Sequence, residues 1–365
     1  MRKIPAVQTG WAHRRHRGNP PETHTAATGP QSITAPVDRP VLGLPDWRDC
    51  QAGRKGLSPG ATSATSQLDM NSNTQSAQDL LQLAWQAQST GQLDRAAEIY
   101  RKALDLEETA PSWLGLGQCH LERKDPSAAL AAFRRAQALM PQSGAIRHMV
   151  DMLEGSRVPD RAPDDYVVWV FDGHAESFEA HLAALNYRGP QMVAGLAEGI
   201  WAKDGSRAIL DLGCGTGLNA PIFRPYAQRL DGVDLAPRML QQASRRGGYD
   251  HLYKAEAHAF LRRPPCRYDV VLATDVFIYI GQLDEIFSLS EQYLNKNGEL
   301  LFTVELTAGA QPVELRSSGR FRQTDTYIRM LAERTGFAVA ATHDEALRVE
   351  NGVPEAGRAY RLVRR

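Results

Sequence analysis

A glycine-rich turn constrains the fold of this 365-residue chain more than any other feature. Residues 211–217 read Asp-Leu-Gly-Cys-Gly-Thr-Gly and directly follow the apolar run 208–210. This order predicts a short buried strand, a turn, and a helix that begins near Leu218. The alternating glycines remove each Cβ that would hold a ligand away from the backbone. In open α/β sheets, nucleotide-like ligands bind at this place, the carboxyl end of a parallel strand.

The spacing of the glycines distinguishes between nucleotide cofactors. A dinucleotide fingerprint would need its third glycine at Leu218, whereas this chain has it at Gly217. A second acid, Asp234, closes the next apolar run about 20 residues downstream, where an acid can accept hydrogen bonds from both ribose hydroxyl groups. That acid suits NAD as well as S-adenosylmethionine. The glycine spacing makes an NAD-linked reductase the weaker alternative.

The pattern D-x-G-x-G-x-G resembles the first motif of class I S-adenosylmethionine-dependent methyltransferases. Residues 234–240 are similar to the family's D-x-S-x-x-M-L segment, with Ala236 in place of the serine. The resemblance implies S-adenosyl-L-methionine as the cofactor. In the family an acid after the third strand contacts the adenine amino group, and Glu256 stands at that position. The cofactor-binding residues implied by the resemblance are Asp211, Gly213, Cys214, Gly215, Gly217, Asp234, Leu235, Met239, Glu256, Ala257 and Thr274.

Later segments match the remaining strands of such a sheet in the family's order. Residues 253–257, 268–275 and 298–305 resemble its third, fourth and fifth strands. Residues 336–339 and 359–363 fit the closing antiparallel pair. Apolar strands that alternate with helical periods also predict a mostly parallel sheet with helices on both faces. We therefore expect an α/β fold with a Rossmann-like, seven-stranded methyltransferase sheet.

Composition divides the chain into four parts. Residues 1–69 are rich in proline, glycine and serine and lack an apolar period, which predicts a disordered tail. An over-extended start, with Met70 as the natural first residue, is the simplest account of that tail. Residues 70–155 are predicted to form a small all-α tetratricopeptide-like domain, residues 156–165 a linker, and residues 166–365 the methyltransferase domain.

The all-α part contains an internal repeat. Residues 91–104 align with residues 124–137, and the equivalent Ala96 and Ala129 are separated by about 33–34 residues, the period of tetratricopeptide helix pairs. The chain thus resembles predicted methyltransferases that contain tetratricopeptide repeats. Such repeats bind a protein or peptide partner, here through residues 76–155, or they only pack on the enzyme or on a second copy. The sequence leaves both interpretations open.

Charge and cysteine content argue against several classes of protein. The 42 basic residues equal the 42 acidic residues, so no overall field favours nucleic acid or an anionic membrane as a partner. No apolar run approaches the roughly 20 residues of a membrane helix. Cys50, Cys119, Cys214 and Cys266 form no C-x-x-C pair. This argues against a metal site and a disulfide scaffold, and it favours a reducing cytoplasm.

Methyl transfer from a sulfonium needs alignment more than acid–base groups, because the cofactor supplies the leaving group. The candidate catalytic residues are Asp275, at the end of the fourth strand, and His174, before the sheet. A carboxylate at Asp275 can orient an amine or accept its proton, and His174 can transfer a proton. Residues 170–188 resemble the helical lead-in that covers the cofactor in the tetratricopeptide-containing group. The candidate substrate-binding residues are Phe171, Tyr279, Glu305 and Arg320.

These features together favour S-adenosylmethionine-dependent methyl transfer to a small-molecule acceptor by in-line displacement. One alternative is methylation of a protein or carrier-bound substrate that the repeats recruit. The other is a non-catalytic binding or scaffold protein with a methyltransferase-like fold. The intact glycines and acids of the cofactor motifs weigh against the scaffold.

Overall fold

The computed structural model describes residues 76–173, 175–350 and 352–365. The predicted disordered tail, the predicted start at Met70 and the candidate catalytic residue His174 lie outside these ranges. Within them, an all-α segment precedes an α/β sheet. None of the helices in those ranges has both the length and the hydropathy needed to span a bilayer.

The all-α segment of the described chain consists of two helix pairs and a further helix. The helices are α1 (Ala77–Ser89), α2 (Leu93–Leu106), α3 (Ala110–Glu122), α4 (Pro126–Leu139) and α5 (Gly144–Glu154). Ser76 and Asp79 form a capping box that begins α1. Asp125 caps α4, and a proline follows it at the first helical position. The local sequence therefore specifies where these helices begin.

Two aromatic rings occupy equivalent places in the two helix pairs. Tyr100 of α2 and Phe133 of α4 are both buried. Gly115 and Gly117 of α3 face these rings, and a Cβ at either position would overlap ring atoms. The two glycines therefore permit α3 to approach both of its neighbours closely.

The described residues contain nine strands: β1 (Arg207–Leu212), β2 (Ala227–Asp234), β3 (His251–Lys254), β4 (Tyr268–Ala273), β5 (Leu294–Glu305), β6 (Val313–Leu315), β7 (Phe321–Gln323), β8 (Phe337–Glu350) and β9 (Val353–Arg364). Seven of them form one sheet in the order β3-β2-β1-β4-β5-β9-β8. Strands β1 to β5 pair in parallel, and β9 pairs antiparallel with β5 and β8. The predicted seven-stranded, mostly parallel sheet is confirmed. Strands β6 and β7 form a separate hairpin.

Helices connect and cover the strands. They are α6 (Asp164–Asp172), α7 (Phe178–Ala184), α8 (Gly189–Gly195), α9 (Ala220–Phe223), α10 (Pro237–Arg246), α11 (Ala257–Leu261), α12 (Asp284–Tyr293) and α13 (Asp325–Arg334). The helix predicted to begin near Leu218 is α9, which begins at Ala220 and spans 4 residues. Pro225 limits it, because proline has no backbone N–H with which to continue the hydrogen bonds of the helix.

The all-α segment and the sheet share one hydrophobic core. Phe133 belongs to the same buried cluster as Tyr166 and Phe321. The Nε2 atom of His148, in α5, lies 2.9 Å from the carbonyl oxygen of Gly319, in the β6–β7 turn. Because a carbonyl only accepts, Nε2 carries the proton of this hydrogen bond. The helices are thus attached to the sheet through the hairpin.

The segment expected to be a linker also packs on the sheet. Ala162 is buried, and its N–H donates to the carbonyl oxygen of Tyr279 at 2.9 Å. Arg161 forms an isolated β-bridge with Ile280. This segment therefore joins the two parts through backbone hydrogen bonds and burial.

Candidate active site

A cavity opens at the carboxyl ends of β1, β2 and β4, next to the point where the strand order reverses. From the sheet, its wall contains Gly213, Cys214, Gly215, Thr216, Leu218, Asn219, Val233, Asp234, Leu235, Ala255, Glu256, Ala257, Thr274, Asp275, Val276, Tyr279 and Ile280. From the preceding segment, it contains Arg161, Ala162, Val167, Phe171, Phe178, Leu182, Tyr187 and Pro190. Both the cofactor motif and the candidate substrate region therefore face one cavity.

The glycine turn has the backbone conformation that its sequence predicts. Gly213, Gly215 and Gly217 have φ angles of 68°, 54° and 86°, in the left-handed region that favours glycine. A Cβ on Gly213 would overlap the side chain of Val276, whereas a Cβ on Gly215 would meet no atom. Gly217 does not line the cavity. The turn thus leaves room for a ligand beside Gly215.

Asp234 closes β2 and faces the cavity. Its Oδ2 accepts a hydrogen bond from the N–H of Gly215 at 2.8 Å, and its Oδ1 accepts one from the N–H of Ala236 at 2.8 Å. Burial raises the pKa of Asp234 to about 6, although these two backbone N–H groups favour the charged form. Each carboxylate oxygen keeps a lone pair for a ligand hydroxyl group.

Asp211 does not line the cavity, and its expected contact with the cofactor stays a prediction. Its Oδ1 accepts a hydrogen bond from Asn219 Nδ2 at 2.9 Å, and its Oδ2 accepts one from the Tyr249 hydroxyl at 2.6 Å. Burial raises the pKa of Asp211 to about 6. These two hydrogen bonds connect the carboxylate to Asn219, which follows the glycine turn, and to Tyr249, and they thereby stabilise the turn.

Two buried oxygens in the cavity wall have no hydrogen-bond partner among the described residues, namely Asn219 Oδ1 and Thr216 Oγ1. The amide nitrogen of Asn219 donates to Asp211 Oδ1 and, at 3.1 Å, to Thr274 Oγ1, so Oδ1 is the atom left over. A buried acceptor without a donor is costly, and a ligand ammonium group would satisfy it. S-adenosylmethionine carries such a group together with ribose hydroxyls for Asp234. The wall therefore fits that cofactor.

The side of the cavity near β3 holds the candidate adenine contacts. Leu235, Glu256 and Ala257 line it. Glu256 caps α11, and its two oxygens bind His258 Nδ1 at 2.7 Å and the N–H of Ala259 at 2.9 Å. Burial opposes the charge of Glu256, but these hydrogen bonds outweigh it and lower its pKa to about 2.

Met239 does not line the cavity, and its expected contact with the cofactor stays a prediction. It is buried in a cluster with Ala175 and Ala236, against which Phe171 and Phe178 pack. Its side chain supports the residues that cover the cavity.

Asp275 lies on the side of the cavity opposite Asp234, two residues after the end of β4. Its φ angle is 61°, which is uncommon for a residue other than glycine. The Thr303 hydroxyl accepts a hydrogen bond from its N–H at 2.8 Å, and both of its carboxylate oxygens lie 3.1 Å from Arg348 Nη1. These contacts fix the carboxylate at the cavity edge.

Arg348 is the centre of an ion-pair cluster behind Asp275. The cluster comprises Asp275, Glu305, Arg320, Arg322, Arg348, Glu350 and Glu355. Arg348 is 3% exposed and also binds Glu305 and Glu350. Glu305 and Arg320 do not line the cavity, and their charges are already paired. Their expected role in binding the acceptor stays a prediction that these contacts do not support.

Aromatic side chains cover the same side of the cavity. Phe171 meets Tyr279 and Phe178 in edge-to-face contacts, with ring centroids 5.3 and 5.8 Å apart. Burial raises the pKa of Tyr279 and that of Tyr187 above their usual range, and the charge of Asp275 adds to both shifts. Both phenols are therefore neutral.

Sequence reasoning missed several residues of this site. Asn219 follows the glycine turn by two positions, so its place in the motif was the available signal. Tyr187 lay within the helical lead-in, but its pattern did not single it out. Arg348 had no local signal, because its role arises only from the pairing of β8 with β9. Among the described residues, no group of three or more potential ligands is placed to hold a metal ion.

The strand order, the glycine turn and the acid after β2 define the class I fold of S-adenosylmethionine-dependent methyltransferases. Residues 210–300 match the family model described as a methyltransferase domain. The expected enzyme class is thereby confirmed for this domain, and so is S-adenosylmethionine as the cofactor of the class.

Similar proteins act on different acceptors, according to their names. Malonyl-[acyl-carrier protein] O-methyltransferase of Halalkalibacterium halodurans is 34% identical over 109 residues, which are 28% of this chain and 40% of that protein. tRNA1(Val) (adenine(37)-N6)-methyltransferase of Yersinia enterocolitica is 28% identical over 134 residues, 28% of this chain and 52% of that protein. The chain thus spans about half or less of the length of these relatives.

A solved structure, that of Burkholderia thailandensis 1,6-didemethyltoxoflavin-N1-methyltransferase, has a TM-score of 0.45 and 14% identity. The match covers 57% of this chain and 92% of that chain. The names of the two relatives give different acceptors, so they do not fix the acceptor of this chain.

Proposed function

We propose that this chain transfers the methyl group of S-adenosylmethionine to a small-molecule acceptor. The observation that carries the proposal is the shared cavity. On one side it presents Asp234 and the unpartnered oxygens of Asn219 and Thr216, and on the other side it presents Asp275. A cofactor held by the first group would bring its reactive end towards the second.

The chain's own groups would contribute alignment and exclusion of water. When bound, S-adenosylmethionine supplies a methyl group on a sulfonium centre. Asp234 would hold the ribose, and Asn219 would accept a hydrogen bond from the ammonium group. Phe171 and Tyr279 would exclude water from the reacting centre, and Asp275 would orient the acceptor. In-line displacement needs little more than this alignment.

We also propose that the all-α segment is a pair of tetratricopeptide repeats. The equivalent positions of Tyr100 and Phe133, each packed against a glycine of α3, support this. The shared core with the sheet supports a packing role for the segment more than recruitment of a substrate. A reducing, cytoplasmic location is supported by the free cysteines among the described residues.

Calorimetric titration of the full chain with S-adenosylmethionine and with NAD tests the proposal. We expect binding of the sulfonium cofactor only. Asp234→Ala should weaken it by about 1.5–3 kcal/mol, because hydrogen bonds to a charged group are lost. Asp94→Ala is the matched control, since Asp94 is exposed on α2. Absence of heat with S-adenosylmethionine would refute the proposal, and an unchanged affinity in Asp234→Ala would place the ribose elsewhere.

A further inference from the structure

The side of the cavity around Asp275 indicates the chemical class of the methyl acceptor. Resting on the function proposed above, we infer that the acceptor presents a weakly basic nitrogen, with an N–H and a free lone pair, on an apolar ring-sized body. An aromatic amine and an N–H heterocycle have this chemistry. A carboxylate in the same position would be rejected.

Asp275 supplies the negative charge on the acceptor side of the cavity. The other charged residues of the wall belong to the cofactor side: Asp234 ends β2, Glu256 follows β3, and Arg161 pairs with Asp164 and lines the wall together with Glu256. Asp275 is therefore the charge that the acceptor meets.

An ion-pair cluster holds Asp275 in place. It contains four carboxylates, of Asp275, Glu305, Glu350 and Glu355, and three guanidinium groups, of Arg320, Arg322 and Arg348. The ionised cluster thus has a net charge of −1. Arg348 does not line the cavity and is 3% exposed, so it offers no cation to an anionic acceptor.

The Asp275 carboxylate is placed to accept a hydrogen bond from the acceptor. Both oxygens already face Arg348 Nη1 at 3.1 Å, and each keeps a further lone pair. A proton taken up by Asp275 would leave the buried guanidinium group facing a neutral acid. The geometry therefore suits acceptance of a hydrogen bond from an N–H group better than removal of a proton. The nitrogen must then have its lone pair free beforehand, which excludes an alkylammonium ion.

Aromatic and aliphatic side chains of the wall face the body of the acceptor. The neutral phenols of Tyr187 and Tyr279 line the same cavity as Asp275. Leu182 and Val276 add apolar surface to the same wall. Aromatic and aliphatic side chains of this kind favour a flat, apolar ligand over a strongly hydrated one.

The transfer step balances with these groups alone. The nitrogen lone pair forms the N–C bond to the methyl carbon, and the C–S bond breaks with its electron pair going to sulfur. The positive charge passes from sulfur to nitrogen. The methylated nitrogen, which now carries the positive charge, then releases its proton to water. The products are the N-methylated acceptor, S-adenosylhomocysteine and one proton.

Ligand binding to the full chain saturated with S-adenosylhomocysteine tests the inference. The probes are aniline and indazole as N–H acceptors, benzoate as the matched carboxylate, and benzylamine as the alkylammonium ion. We expect at least one N–H probe to bind about tenfold or more tightly than benzoate, because the charge of Asp275 repels the carboxylate. With S-adenosylmethionine in place of the product, mass spectrometry should detect the N-methylated form of that probe and no methylation of benzylamine, whose ammonium group has no free lone pair.

Asp275→Asn should reduce the preference over benzoate by about tenfold, because the repelling charge is lost. Affinity for S-adenosylhomocysteine should not change, and Asp94→Asn should keep the preference. Tight binding of benzoate, methylation of benzylamine, binding of neither N–H probe, or an unchanged preference in Asp275→Asn would overturn the inference. Failure to bind S-adenosylhomocysteine at all would instead refute the proposed function.

Discussion

Asp211 and Asp234 are buried acids at the ends of neighbouring strands, and burial raises the pKa of each to about 6. Their hydrogen bonds give them different roles. The oxygens of Asp211 are bound by the side chains of Asn219 and Tyr249, whereas those of Asp234 accept backbone N–H groups beside the cavity. Only Asp234 is free to meet a cofactor, and Asp211 acts on the shape of the turn.

The raised pKa of Asp211 predicts an effect of pH on stability. An unfolded aspartate has a pKa of about 3.9, so between that pH and about 6 the folded protein binds more protons than the unfolded chain. The free energy of unfolding therefore decreases as the pH rises through this window. Asp211→Asn should flatten that decrease and raise the free energy of unfolding at pH 7 by about 1–2 kcal/mol.

Urea unfolding between pH 4.5 and pH 7.5 measures this effect. Asp94→Asn serves as the control, because the Asp94 side chain is exposed. An equal slope in Asp211→Asn and the unaltered protein would contradict the prediction.

The sequence predicted the site residues that lie in short contiguous motifs. Gly213 and Gly215 lie in one turn and Asp234 ends the next strand, so their shared role in binding a cofactor could be recognised from the sequence. Arg348 is separated from Asp275 by 73 positions and meets it only because the closing strands fold back across the sheet. Pairings between distant charges depend on strand register, which a pattern of residue types does not specify.

At the scale of elements, the close approach of α3 to its neighbours predicts a sensitive position. Gly117→Ala would place a Cβ into the ring of the fully buried Phe133. We expect a loss of about 1–3 kcal/mol in the free energy of unfolding, as for other overpacked cores. Gly195→Ala is the control, because no atom lies within 4 Å of the added Cβ in α8. Thermal unfolding of both variants measures the difference, and equal midpoints would contradict the prediction.

The elements themselves were predicted with unequal success. Strands β1, β2 and β4 were recognised because each contains a run of buried, mostly apolar residues. The closing strands β8 and β9 extend well beyond the predicted 336–339 and 359–363. Most residues in these extensions are exposed or half-buried and several are charged, so they lack the continuous apolar run that marks the central strands.

At the scale of the whole molecule, the shared core predicts that the all-α segment stabilises the sheet. Removal of residues 1–155 would expose Tyr166 and Phe321 and would leave the Gly319 carbonyl oxygen without His148. We expect the thermal midpoint to fall by at least about 5 °C. The affinity for S-adenosylmethionine should be retained, because every cavity residue from Arg161 onwards is kept.

Removal of residues 1–75 alone is the matched control, since it leaves all of these contacts in place. Calorimetric scans of the two shortened proteins and the full chain measure the effect. Equal midpoints in all three would show that the all-α segment is an independent appendage.

The turn between β6 and β7 touches the all-α segment through Gly319 and the ion-pair cluster through the next residue, Arg320. A displacement of this turn would therefore move a charge that is linked, through Glu305 and Arg348, to Asp275. A chimaeric enzyme that received helices from another source would need the matching turn as well. Grafting experiments should transplant the two pieces together.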